Sequence, residues 1–240
     1  MSSVAGPGGG ARAWPLGARP TALLIAGCVA VGAAGGVALH GLRSPPRPAA
    51  HAAAPALPTQ ALAADESWPA GSRQAPGFTL RDQSGRLVSL ASRRGHPVLL
   101  TFMDSRCKLL CTLQGPAIGR ALRRAAVPRG VSLMVVSVNP WEDTAGSTRL
   151  AGARYGFGGD WHWLRGTPAE LSRIWSAYGI GVRRTSGDVN HSTAIYLLDK
   201  QGFERAGFNF PFEQRRMTRA LTALASRCPR RSHRHFSWRC

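Results

Sequence analysis

Lysine is almost absent: Lys108 and Lys200 stand alone among the 31 basic side chains of this 240-residue chain. Acidic residues are also few, 12 in all, which leaves a formal net charge of +19. A charge of that size invites a nucleic-acid reading. The near-exclusive use of arginine, beside abundant Ala, Gly and Pro, fits a GC-rich coding sequence better than selection for phosphate contacts, so no nucleic-acid partner is expected. Cysteine is scarce as well. Five in the whole chain are too few for a small disulfide-stapled scaffold. No internal repeat, Gly-rich phosphate loop or Ser/His/Asp arrangement marks the chain as a solenoid, nucleotide-binding protein or serine hydrolase. What the chain does have is apolar content of 44%, enough to build a core and to exclude wholesale disorder.

The basic excess divides unevenly, +3 over residues 1–75, +11 over 76–226 and +5 over the last 14. After a short basic segment, 1–20, the run Thr21–Leu39 carries no charge over 19 residues. At about 1.5 Å per residue it reaches roughly 28 Å, enough to cross a bilayer's hydrocarbon core. A cleavable signal led by Arg12 and Arg19 is the competing reading. A lipoprotein signal ending at Cys28 is another, because Ile25-Ala26-Gly27-Cys28 looks like a lipobox. Apolar residues continue for eleven positions past Cys28, so residues 21–42 are expected to be an uncleaved anchor. Basic residues flank both ends of the segment and leave its orientation open. Residues 43–75, with six prolines among alanines, read as an extended tether. The tail, 227–240, concentrates arginine with His233, His235, Cys228 and Cys240, and reads as a disordered extension.

From Pro76 the pattern becomes that of a folded domain ending near 226. Phe78–Leu80 and Leu87–Leu90 flank a turn at Asp82–Gly85 and predict a hairpin. Pro97–Met103, Val131–Val138 and Thr193–Leu198 are short apolar runs suited to buried strands. Helices are expected over 108–126, with Pro116 kinking or delaying the first of them, and over 144–156, 168–178 and 211–225. Thr167-Pro168 supplies a cap and first position for the helix at 168. Strands alternating with helices, closed by a hairpin and a helix, make an α/β domain with a mixed sheet.

Two cysteines follow the first buried strand, in Asp104-Ser105-Arg106-Cys107-Lys108-Leu109-Leu110-Cys111. At a helix start this spacing puts both sulfurs on one face, with Cα atoms roughly 6 Å apart, close enough for a disulfide or for two thiolates on one soft metal ion. A helix N-terminus beside Arg106 and Lys108 favours thiolate. His191 stands just before the strand at 193–198. If the strands of the first and third units lie side by side, the loops meeting there bring His191 toward the cysteines. Two thiolates and an imidazole suit copper in either common oxidation state; zinc would want a fourth ligand. Asp104 and Asp188 are candidates to orient a ligand by hydrogen bond, though turn or capping roles fit both. His162 reads as part of a packed surface, and Glu142-Asp143-Thr144 as a helix cap.

On these residues the stretch Pro76–Ala225 resembles the Sco/SenC family of thioredoxin-fold copper proteins. The pieces that carry the resemblance are APGFTLRDQSGRLVSL, PVLLTFMDSRCKLLC, VVSVNPWEDT, GTPAELSRIWSAYGI and DVNHSTAIYLLDKQG. It implies a thioredoxin-like mixed sheet flanked by helices behind an N-terminal transmembrane helix. It implies copper, Cu(I) or Cu(II), on Cys107, Cys111 and His191. It further implies a single-pass cell-membrane protein with its N-terminus in the cytoplasm and its domain on the periplasmic or equivalent side. Such a protein would take copper from a donor and deliver it to the binuclear copper site of a respiratory cytochrome oxidase, or keep that site's thiols reduced. The alternative is a thiol–disulfide oxidoreductase in which Cys107 and Cys111 form the catalytic redox pair. The usual C-P-x-x-C-P motif is altered, with Lys108 and Thr112 in place of both prolines, and Asn139 replaces the usual Asp before Pro140. A proline common in thioredoxin-type oxidoreductases is absent at His191-Ser192, which favours metal binding over general disulfide exchange.

Overall fold

The computed structural model describes residues 62–125 and 130–226. The expected anchor at 21–42, Cys28 and the 227–240 tail lie outside the described residues. Among the described residues no helix is long and apolar enough to cross a membrane.

The three apolar runs form the middle of the sheet. β4 (Val98–Met103) and β5 (Ser132–Ser137) are buried at every position, as strands covered on both faces must be. They pair in parallel, joined by α1 (Leu110–Arg124), and β5 pairs in parallel with β6 (Trp161–Leu164) after α2 (Ala145–Arg154). On the other side of β4 the sheet turns antiparallel: β9 (Ile195–Leu198), then β10 (Glu204–Phe208), then β1 (Glu66–Ser67). The order is therefore β1-β10-β9-β4-β5-β6, the mixed sheet expected. Alternation along β4 sends Leu99 and Met103 to one core and Val98, Leu100 and Phe102 to the other. The first core is closed by α1, Ala151 and Tyr155 of the α2 region, and α4 (Gln214–Ala225). The second is closed by α3 (Pro168–Ala177) and the hairpin β2 (Thr79–Arg81)/β3 (Leu87–Ser89).

Local rules account for the helix starts. Thr144 and Ser147 form a reciprocal capping box on α2, and Thr167 and Glu170 do the same on α3, with Pro168 in its first turn. α1 has no side-chain cap at Leu109 and runs through Pro116, which leaves the Thr112 carbonyl without its usual intrahelical donor. Gly115 brings this helix close to its neighbour. A Cβ there would meet the Tyr155 ring at 2.4 Å.

Three features differ from expectation. Residues 62–75, assigned to the tether by their composition, pack onto the domain. Leu62 is fully buried, β1 extends the sheet, and the backbone of Ala75 bonds to Gly202. β6 was not legible as a strand because its sequence, Trp-His-Trp-Leu, is buried on both faces and shows no period-2 alternation. The third is a hairpin, β7 (Val182–Thr185) paired with β8 (Asp188–His191), whose four-residue arms are too polar to stand out. It turns at Gly187, where φ is +84°, a conformation that favours glycine.

Candidate metal centre

The antiparallel pairing of β4 with β9 builds the site. Because Val98 lies opposite Leu198 and Thr101 opposite Ile195, the chain leaves β4 at the same end of the sheet where it enters β9. Cys107 and Cys111 follow β4, and His191, the last residue of β8, precedes β9. The structure brings the three together: Cys111 Sγ lies 4.0 Å from His191 Nε2, and Cys107 Sγ accepts the Cys111 backbone N–H at 3.4 Å. That last bond makes the Cys107 sulfur the cap of α1's first turn, where no hydroxyl or carboxylate side chain serves.

The two thiols are free and unlike. The Cys107 thiol is pulled down to about 6, chiefly by the hydrogen bond from Cys111's side chain, which outweighs the desolvation penalty of its burial, with further help from the backbone N–H groups of Cys111 and Leu109. Cys111, almost fully buried, is pushed up because it keeps the shared proton and because burial disfavours its charge. At neutral pH the pair is thus a Cys107 thiolate and a Cys111 thiol. Burial also holds His191 below its usual range, so its ring is neutral. Its Nδ1 donates to the Ser192 carbonyl at 2.9 Å, which leaves the lone pair on Nε2, facing Cys111. A thiolate, a second sulfur and a neutral imidazole form a donor set for a soft cation.

The set is close but not drawn tight. Among the described residues no group of three or more His, Cys, Asp or Glu side chains is already gathered round one point. Thiolate and imidazole ligands on a single ion lie about 3.5 Å apart, given metal–ligand bonds near 2.3 and 2.0 Å. Closing the 4.0 Å gap requires a shift of about half an ångström, within the reach of a side-chain adjustment.

The other candidates fall into place around this centre or away from it. Asp104 is buried, and its Oδ1 accepts the Arg106 N–H while its carbonyl accepts the Cys107 N–H; it shapes the loop. Burial raises its pKa, and its carboxyl is close enough to act electrostatically on His191. Asp188 takes the Val189 N–H at the hairpin turn. His162 is remote from the cysteines, with Nδ1 at 3.2 Å from Asp82 and Nε2 at 2.9 Å from Asp160, and ties the β2–β3 turn to β6. Thr144 is the expected cap, and Glu142 lies on the surface, 4.0 Å from Arg106.

Asp143 does something that a capping role does not include. Its buried carboxylate accepts Ser105 N–H at 3.0 Å, the Ser105 hydroxyl and the Ser137 hydroxyl. It thereby clamps the loop that leads into Cys107 onto the end of β5. A signal existed in the sequence: Ser137 closes the apolar run Leu133–Val136 of a buried strand, and a buried hydroxyl needs a partner.

Comparison with known proteins agrees with this geometry. The family described as SCO1/SenC matches residues 69–226. No curated protein matches the chain. Among solved structures, Bradyrhizobium japonicum ScoI with copper bound is 25% identical with a TM-score of 0.57, over 63% of this chain and 99% of that one. Yeast Sco1 with copper bound shares the fold at 17% identity and a TM-score of 0.56, over 66% of this chain and 92% of its own. BsSco, a Sco-family cytochrome c oxidase assembly protein with a disulfide switch, shares it at 20% identity and 0.55, over 64% and 94%. With more than half of its length matched, and with an α/β mixed sheet placing two cysteines and a histidine at one end, the chain belongs to the SCO1/SenC family.

Proposed function

We propose that this protein is a membrane-anchored copper metallochaperone that holds its cargo on Cys107, Cys111 and His191. It passes copper to the binuclear copper site of a respiratory cytochrome oxidase, or keeps that site's thiols reduced. The observation that carries the reading is the 4.0 Å approach of His191 Nε2 to Cys111 Sγ beside the Cys107 thiolate. Disulfide exchange has no use for such an imidazole, whereas copper takes imidazole nitrogen as readily as thiolate sulfur. The bound copper in Bradyrhizobium japonicum ScoI and yeast Sco1 and the oxidase-assembly role of BsSco support it. In this reading residues 21–42 are the anchor and the domain lies on the extracytoplasmic side, where a donor protein loads it.

The test is copper stoichiometry on the reduced full chain with Cys28, Cys228 and Cys240 replaced by serine, beside the same chain carrying His191→Ala. One copper per parent chain, lost or greatly weakened in the variant, is the expected result. Equal binding by both, or by neither, would falsify the assignment. Blocking of Cys107 in intact cells by a membrane-impermeant maleimide tests the topology.

A second reading, thiol–disulfide oxidoreductase, draws on the unequal thiols. The Cys107 thiolate would attack a partner disulfide and release one partner thiolate. The Cys111 sulfur, after giving up its proton, would then attack Cys107 and release the second. The partner gains two electrons and the protein ends as a Cys107–Cys111 disulfide. His191→Ala leaves that exchange intact, which separates the two readings.

A further inference from the structure

Apolar side chains that fold into water are worth a question when they cluster. Leu109, Leu110 and Leu113 are 71, 50 and 61% exposed, three of the six large hydrophobic residues so exposed among the described residues. All three lie within six positions of Cys107. Trp141, 39% exposed, belongs to the same end of the molecule. Its loop is tied to the cysteine loop by Asp143 and Ser105, and its ring lies 5.0 Å beneath the Arg184 guanidinium of the β7–β8 hairpin. That hairpin in turn ends on His191. The exposed apolar residues therefore lie at the same end of the molecule as the site, beside the half-buried Cys107.

The charge around this surface is mostly of one sign. Arg106, Lys108, Arg183 and Arg184 are exposed, against Glu142 and Asp188, and Glu142 is 4.0 Å from Arg106. The side chains of the three leucines take no part in α1's capping or in its buried face, which includes Cys111, Gln114, Ile118 and Ala121. Protein contact surfaces combine an apolar centre with a charged rim, and oppositely charged rims speed encounter.

We infer that this surface is the docking face for the client of the Cys107–Cys111–His191 site, and that the client presents an apolar patch rimmed by carboxylates around its own acceptor sulfur or imidazole. The inference rests on the copper-transfer reading and adds to it the chemistry of the partner. A protein rather than a lipid surface is the occupant, because the site beside the patch must meet an acceptor sulfur or imidazole, which a bilayer does not provide, and the basic side chains call for carboxylates around that acceptor.

The probe is a short synthetic peptide with one cysteine between leucines and valines, the cysteine joined to thionitrobenzoate as a mixed disulfide. One version is flanked by glutamates and its twin by lysines. The Cys107 thiolate attacks the peptide sulfur, a Cys107–peptide disulfide forms, and thionitrobenzoate leaves as a coloured thiolate whose release gives the rate. The full chain is used with Cys28, Cys228 and Cys240 as serine, and Cys107→Ala supplies the blank.

The glutamate peptide is expected to react about tenfold faster than the lysine peptide at low salt, with the gap closing at high salt. Leu110→Gln with Leu113→Gln is expected to slow the glutamate peptide severalfold. Copper stoichiometry and the reaction with free dithiobis-nitrobenzoate, which needs no docking, stay at parent values. Equal rates for the two peptides, or an unchanged rate in the double variant, overturn the inference. So does a lipid result: loss of Cys107 reactivity toward dithiobis-nitrobenzoate when phosphatidylglycerol is added to phosphatidylcholine vesicles carrying the chain, regained in the double variant. Failure of copper binding in the parent sinks the copper reading alone, since the peptide preference is measured without metal.

Discussion

Asp143 offers the sharpest test of how the cysteine loop is held. Its carboxyl is 8% exposed and accepts from three donors, Ser105 N–H, Ser105 Oγ and Ser137 Oγ. Burial pushes its pKa up to about 6 despite those bonds, against roughly 3.9 in an unfolded chain. A carboxyl raised in the fold contributes stability that is full below the unfolded pKa and is lost as pH rises through the folded one. Two pH units of difference at about 1.4 kcal/mol each make roughly 3 kcal/mol lost between about pH 4 and 6. Asp143→Asn keeps the shape and one acceptor but cannot ionise, so it escapes that loss. In urea titrations followed by tryptophan fluorescence, wild-type stability minus Asn-variant stability should fall by roughly 3 kcal/mol across this window and stay flat above it. Asp143→Ala strands the Ser105 N–H and the Ser137 hydroxyl, leaves the Ser105 hydroxyl with Ser147 alone, and should unfold about 1–3 kcal/mol more easily at neutral pH. A pH-independent difference between wild type and the Asn variant would refute the burial argument. An Ala variant as stable as wild type would refute the clamp.

The remaining predictions follow from the same geometry. Iodoacetamide should label Cys107 ahead of Cys111, with a rate that rises through about pH 6; Cys111→Ala should move that midpoint upward by removing the side-chain donor, read by mass spectrometry of the labelled peptides. Gly115→Ala should cost about 1–3 kcal/mol, because its Cβ would meet the Tyr155 ring at 2.4 Å, and displacement of α1 should weaken copper binding at the same time. A domain starting at residue 76 should melt several degrees below one starting at 60. The shorter form loses the buried Leu62, about 1.5–3 kcal/mol by itself, together with strand β1.

Much of this protein was legible in one dimension, because local signals decide local structure. The predominantly apolar runs of β4 and β5 announced strands covered on both faces, Thr167-Pro168 announced a helix start, and the four-residue spacing of Cys107 and Cys111 placed both on one turn. Signals without a period escaped. β6 is buried on both faces and shows no alternation, β7 and β8 are short and polar, and the Pro/Ala-rich composition of 62–75 concealed a segment whose Leu62 has no exposed surface. Asp143 sits beside a true cap at Thr144 and was read with it, although its partners lie 38 residues earlier at Ser105 and at the end of β5.

The sequence alone determined the chemical species of the site, two sulfurs at helical spacing with a histidine ahead of a strand, because residue type and short-range spacing survive without coordinates. Only the tertiary structure decided that His191 meets Cys111 across 80 residues. That meeting depends on β9 running antiparallel beside β4, which brings the exit of one strand to the entrance of the other. It also decided which thiol is ionised. The Cys107 sulfur receives donors at the exposed start of α1, while Cys111 is closed into the core behind it, and burial is a property of the fold and not of the residue.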